Sequence, residues 1–169
     1  MFQRPQTFVP APDWATAPQR GDIVLFRFPV AEDDARIEPS KRRPCLVLDT
    51  FARGQDRFVE LACGTSSGGP ANRGYGFFVR QPQSQAHAGL TRPTRFVCAR
   101  RITVHCRNRE IEGLVDGSSP LIGRLDDALV ERMNAVRAWI QAEADIAAHH
   151  REEKRREQAR WAREDRDFR

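Results

Sequence analysis

From Gly21 to Cys106 the apolar residues come in short runs broken by turn formers; from Leu125 onward they recur at helical spacing. The first run, Ile23-Val-Leu-Phe-Arg-Phe28, is β-branched and aromatic and stops at Pro29, which predicts a strand. Pro44–Asp49 and Arg57–Cys63 predict two more, parted by the turn-forming Ala52-Arg-Gly-Gln-Asp56. Gly64-Thr-Ser-Ser-Gly-Gly-Pro70 reads as a glycine-rich loop. Tyr75–Arg80 and Phe96–Cys106 bring the set to at least five strands. Strands this close in sequence, with no helix between them, imply a small antiparallel sheet or barrel. The polar stretch Val30–Arg42, carrying Glu32, Asp33 and Asp34, is expected to be a long loop.

Leu125, Leu129, Met133, Val136 and Ile140 are spaced by three or four residues and trace one face of a helix, with Asp126 as its predicted N-cap. No proline follows Pro120 and no glycine follows Gly123, so nothing later interrupts helical structure. Beyond Ile140 the apolar face thins, and His149–Arg166 is either a solvated helix held by Glu/Arg pairs or a frayed tail. At the other end, residues 1–20 hold four prolines and no periodicity. They predict an irregular arm, pinned by Phe8 or Trp14. The expected organisation is therefore an arm (1–20), a barrel domain with its closing helix (21–141) and a charged helical tail (142–169).

A length of 169 residues suits one domain plus an appendage. No apolar stretch approaches the roughly eighteen residues of a membrane span, and the start of the chain has no apolar leader-like segment. The four cysteines form no CxxC pair. Together these features predict a soluble cytoplasmic protein with reduced thiols. His87, Cys98, His105 and Cys106 follow no recognised zinc-ligand spacing, so no metal or cofactor is expected. Charge adds one further clue. Lys and Arg number 28 against 23 Asp and Glu, for a net charge of +5. The segment Glu143–Arg169 contains eight of each sign, so the whole excess belongs to residues 1–142. Only Lys41 and Lys154 are lysines. Arginine suits bidentate phosphate contacts, although charge alone does not establish a nucleic-acid partner.

Arg20-Gly-Asp-Ile-Val24 followed by Arg43-Pro44-Cys-Leu-Val-Leu48 resembles the opening of the MazF/PemK (Kid) toxins of type II toxin–antitoxin systems. Thr65-Ser-Ser-Gly-Gly69 with Gly76-Phe-Phe-Val79 is similar to that family's threonine-led loop. Gly89–Cys98, Ile102-Thr-Val104 and Ile122–Leu129 match its later strand region and closing helix, in the same order over roughly residues 20–140. The resemblance implies a mainly β fold, an SH3-like antiparallel barrel with a C-terminal helix. It further implies a homodimer that cleaves single-stranded RNA without a metal and is held inactive by a cognate antitoxin. A gyrase poison shares the fold without that activity, so fold alone leaves the chemistry open.

Cleavage at the RNA 2′-hydroxyl requires stabilisation of a dianionic phosphorane, which fixed positive donors supply. Arg43, which matches the family's arginine before proline, is the expected charge stabiliser, and Thr65 the hydroxyl donor beside it. Ser66, Glu38, Arg95 and Arg101 are expected to bind substrate, Glu38 being also a candidate base, and Arg100 lies close by in sequence. The chain departs from the PemK pattern at Val97-Cys98-Ala99, where relatives carry Arg-Cys-Asp with acid and base roles. A binding module without catalysis is therefore the competing expectation.

Overall fold

The computed structural model describes residues 13–28, 42–66, 68–70, 73–111, 113 and 119–167. A short 3-10 turn at Trp14–Thr16 precedes strands β1 (Asp22–Phe26), β2 (Arg43–Arg53), β3 (Asp56–Thr65) and β4 (Gly76–Val79). Helix α1 (Pro82–His87), strands β5 (Thr94–His105) and β6 (Leu121–Arg124), and helix α2 (Asp127–Asp167) complete the chain. The strands form one antiparallel sheet in the order β4-β5-β3-β2-β1-β6. It is a mainly β fold in which six strands make a curled half-barrel, closed by a C-terminal helix, as the sequence predicts.

Two elements escape the sequence pattern. Helix α1 has six residues, too few to display a period, and begins with Pro82 in its first turn. Strand β6 occupies Leu121–Arg124, which the sequence reading joined to the closing helix. Asp126 instead marks the true start, its Oδ1 accepting the Leu129 N–H at 2.9 Å. These two elements also close the curl. Gly89 lies just beyond α1 with φ +65°, and a Cβ there would stand 2.0 Å from the Ile122 carbonyl oxygen. A Cβ on Gly123 would likewise meet the Ala88 carbonyl carbon at 2.2 Å. Two glycines thus let the chain leaving one sheet edge touch the opposite edge, β6. Register shifts at Ile23/Val24, Val47/Asp49 and Ala62/Cys63 add the twist that this curl demands.

Each side of the sheet has its own core. Ile23, Leu46, Leu48, Phe77, Val79 and Phe96 pack beneath Leu125, Met133 and Val136 of the α2 region. Val24, Phe26, Cys45, Val47, Val59 and Leu61 pack on the other side against Trp14, Cys106 and Ile111. Asp22, fully buried, ties the arm down by accepting the Trp14 indole N–H at 2.9 Å and the Gln19 N–H at 2.9 Å, while Arg124 Nε donates at 2.7 Å. The anchor is therefore Trp14; Phe8 lies outside the described residues. Past Ile140, α2 continues as helix rather than frayed chain, its exposed surface laced by i,i+4 pairs such as Arg156–Glu152 and Arg160–Glu164. No helix among the described residues is long and apolar enough to cross a membrane.

Candidate functional site

Strand alternation decides which side chains can meet, because directly opposed residues in an antiparallel pair project to the same face. Cys45 pairs with Cys63. Continued by two residues toward the strand ends, that register sets Arg43 opposite Thr65. Thr65 in turn pairs with Arg95, and Arg95 with Phe78, while Arg43 pairs with Phe26 on its other flank. Arg43, Thr65, Arg95 and Phe78 consequently form one transverse row over β2, β3, β5 and β4. They share the face that carries Cys45 and Cys63, away from α2. Three strand spacings, about 14 Å, separate the ends of the row.

The backbone beneath this row is drawn together at Gly64. A Cβ there would lie 2.3 Å from the Pro44 carbonyl oxygen, so only glycine allows β2 and β3 to approach so closely beside Arg43 and Thr65. Thr65 is half-buried and Arg43 exposed, whereas Arg95 retains only 7% of its surface. Arg95 Nη1 donates to the Gly69 carbonyl at 3.2 Å, tying the glycine-rich loop to the sheet. Its guanidinium lies 5.8 Å from the Phe78 ring centroid. Ser66 follows directly at the exposed strand end.

Arg100 reaches the same face by a different route. Between Cys63↔Val97 and Ala62↔Arg101 the ladder slips, leaving residues 98–100 unpaired against β3. Burial pushes the Cys63 thiol up, and the charges of Arg100 and Arg43 oppose that shift, so both guanidiniums lie close enough to Cys63 to act on it. Among the described residues neither Arg43 nor Arg100 has a hydrogen-bond or ion-pair partner. The field of two unneutralised cations is thus available to an incoming anion. Burial also raises the Cys45, Cys98 and Cys106 thiols, Cys98 to about 11, which marks them as packed protonated groups rather than nucleophiles.

The remaining expected substrate contacts fare differently. Arg101 pairs with Ala62, on the face beneath α2, and its Nε meets Glu60 at 3.4 Å. The fold does not bring it to the row, because the slip at residues 98–100 turns it to the opposite side. Glu38 lies outside the described residues. Phe78, the outer member of the row, stands in the sequence reading only as part of the predicted strand Tyr75–Arg80; its place opposite Arg95 follows from the pairing of β4 with β5. Among the described residues no three His, Cys, Asp or Glu side chains gather as a metal would require. His105 Nε2 stands 3.2 Å from Asp56 Oδ1, with its ring edge-on to Phe58.

A family model described as "PemK-like, MazF-like toxin of type II toxin-antitoxin system" matches residues 19–141. Comparison with curated proteins finds no match.

Proposed function

Since the chain belongs to the PemK-like, MazF-like toxins of type II toxin–antitoxin systems, we propose that it is an endoribonuclease that cuts single-stranded RNA by 2′-hydroxyl transesterification without a metal. The observation that carries this reading is the cross-strand row of Arg43, Thr65 and Arg95, with Arg100 beside it. In this scheme the 2′-oxygen attacks the adjacent phosphorus and the P–O5′ bond breaks. The products are a 2′,3′-cyclic phosphate and a free 5′-hydroxyl. RNA supplies its own nucleophile, so the protein's task is to stabilise the charge that grows on the phosphorane. Arg43 and Arg100 meet that charge, and the Thr65 hydroxyl donates to a non-bridging oxygen. Arg95 holds the Thr65–Gly69 loop in place for the same phosphate.

Arg43 remains protonated at any working pH and serves as charge stabiliser and hydrogen-bond donor to the leaving 5′-oxygen, not as base; the proton that completes the 5′-hydroxyl comes from water, as the base takes up that of the 2′-hydroxyl. Glu38 is the sequence's candidate for receiving the 2′-hydroxyl proton. The natural partners are single-stranded RNA, a cognate antitoxin that masks the cationic row, and a second copy of the chain, all acting in the cytoplasm.

The test is incubation of the purified chain with single-stranded RNA in EDTA. Fragments ending in a 2′,3′-cyclic phosphate are expected, and DNA of the same sequence stays intact because it lacks the attacking hydroxyl. No cleavage and no growth arrest on expression would defeat the reading. Val97 and Ala99, standing where relatives carry Arg and Asp, favour a second reading, a binding module. Salt-dependent RNA binding with no cyclic-phosphate product would establish that one instead.

A further inference from the structure

The row does not end at Arg95. Its outer member, Phe78, also lines an open cleft of about 730 Å³ where the edge strand β4 passes into α1, a volume suited to a nucleotide. Arg80, just past the end of β4, lays its guanidinium 4.1 Å from the Phe78 ring centroid. Gln81, Gln83, Ser84 and His87 line its α1 side, and Asp126, Ala128 and Leu129 the side toward α2. The wall behind them is rigid. Asp126 accepts the Ser84 hydroxyl at 2.6 Å and the Leu129 N–H at 2.9 Å, which joins α1 to the start of α2.

The chemistry of this lining differs from that of the row. Arg43, Thr65 and Arg95 are suited to a phosphate. The cleft instead offers two exposed amides, Gln81 and Gln83, each with donor and acceptor atoms and neither hydrogen-bonded to another described residue. Beside them lies an aromatic–guanidinium stack, a surface on which a flat ring can lie. A phosphate needs no amide acceptor; an unpaired base edge uses both donor and acceptor. Two strand spacings, about 10 Å, separate Phe78 from Thr65.

We propose that this cleft is a base-reading subsite, which takes an unstacked base of the same RNA strand one or two nucleotides from the cut. The base lies against the Phe78–Arg80 stack, and Gln81 and Gln83 read its edge. The inference rests on the endoribonuclease reading, and it assigns to residues outside the cleavage row the choice of where the chain cuts.

The test compares wild type with Gln81→Ala/Gln83→Ala, and separately with Arg80→Ala, on a randomised RNA pool whose fragment ends are sequenced. The double variant is expected to lose preference at one nucleotide position flanking the cut. It should also cut the best wild-type sequence about tenfold more slowly while still leaving cyclic-phosphate ends. Arg80→Ala is expected to weaken cutting of all sequences. Unchanged preference in a variant that melts like wild type would overturn the subsite and leave the endoribonuclease reading standing. Unchanged preference with lost antitoxin binding would likewise overturn it and make the cleft a protein contact. If wild type cuts no RNA, the parent reading fails. The cleft is then judged by photocrosslinking RNA that carries 4-thiouridine. An adduct within Phe78–His87 would support a base site, and adducts elsewhere only would overturn it.

Discussion

The two faces of the sheet use arginine in opposite ways. Beneath α2, Arg137 donates to Asp49 at 2.8 Å and lies 3.9 Å from Glu60, Arg20 adds a second cation to Asp49 at 3.4 Å, and Arg101 meets Glu60 at 3.4 Å. Three cations converge on two carboxylates, and the cluster fastens helix to sheet. On the other face Arg43 and Arg100 meet no carboxylate among the described residues. Beneath α2 the neutralised guanidiniums act as structural clamps, while those of Arg43 and Arg100, without a carboxylate partner among the described residues, leave a field that favours an incoming anion. The same residue type serves as paired scaffold beneath α2 and, in the proposed reading, as binding chemistry at Arg43 and Arg100, whereas Arg95 on that second face ties a loop to the sheet.

The comparison breaks most sharply at Arg43. Arg43→Ala is expected to lower RNA cleavage by about 10²–10³-fold, the worth of one preorganised donor to a developing oxyanion. Thermal melting should be unchanged, because no partner among the described residues loses its contact. Equal losses of activity and stability would show that the two faces are not distinct in role.

Arg137→Ala is the converse. It strips a hydrogen-bonded cation from two carboxylates, and a cost of about 2 kcal/mol is expected. For a chain of this size that corresponds to a fall in Tm of roughly 4–8 °C. Cleavage per folded molecule should be preserved.

Acid sharpens the contrast more gently. Burial raises the Asp49 carboxyl, but hydrogen bonds from Arg137 and the Thr50 N–H, with the charges of Arg137 and Arg20, outweigh it and hold it below the usual carboxylate range. The hydrogen bond from Ser84, then that from the Leu129 N–H, lowers Asp126 in the same way. A depressed folded value contributes stability that is present above the ordinary aspartate range, about pH 4, and is lost as pH falls through the folded value. Wild-type Tm should therefore drop as pH falls below about 4, and Asp49→Asn should flatten that drop while lowering Tm at neutral pH. An unchanged acid limb in the variant would place the sensitivity elsewhere.

The smallest effect is expected from deletion after residue 145. Beyond it Ile146 and Trp161 are exposed, and the helix is held by its own surface pairs rather than by the barrel. Stability should change by no more than about 0.5 kcal/mol. Loss of cooperative melting would assign the tail a structural role.

Much of this architecture can be read along the chain. Ile23–Phe26, Cys45–Leu48 and Val59–Cys63 carry β-branched and apolar side chains at strand spacing, and Leu129, Met133 and Val136 repeat at helical spacing. Those signals lie within a few residues of one another, which is the range over which a backbone period is written. Asp126 was legible as a cap for the same reason. Helix α1 and strand β6 were not, because six and four residues are shorter than the patterns that would identify them. Arg43 and Thr65 could be named individually through the family resemblance, yet nothing in their own segments stated that they face each other.

What the sequence determined alone was the local menu: strands first, one long helix last, arginine as the dominant cation, and an arginine before proline and a threonine-led loop as the places to look. Tertiary structure decided the rest. Register put Arg43, Thr65, Arg95 and Phe78 in one row, a slip at residues 98–100 left Arg100 beside that row near Cys63 and turned Arg101 away from it, and Asp49 and Glu60 were taken up by α2. The reason is range. A side chain's face follows from its neighbours in sequence, but its partners follow from hydrogen-bond register between segments tens of residues apart, where a shift of one residue exchanges the faces.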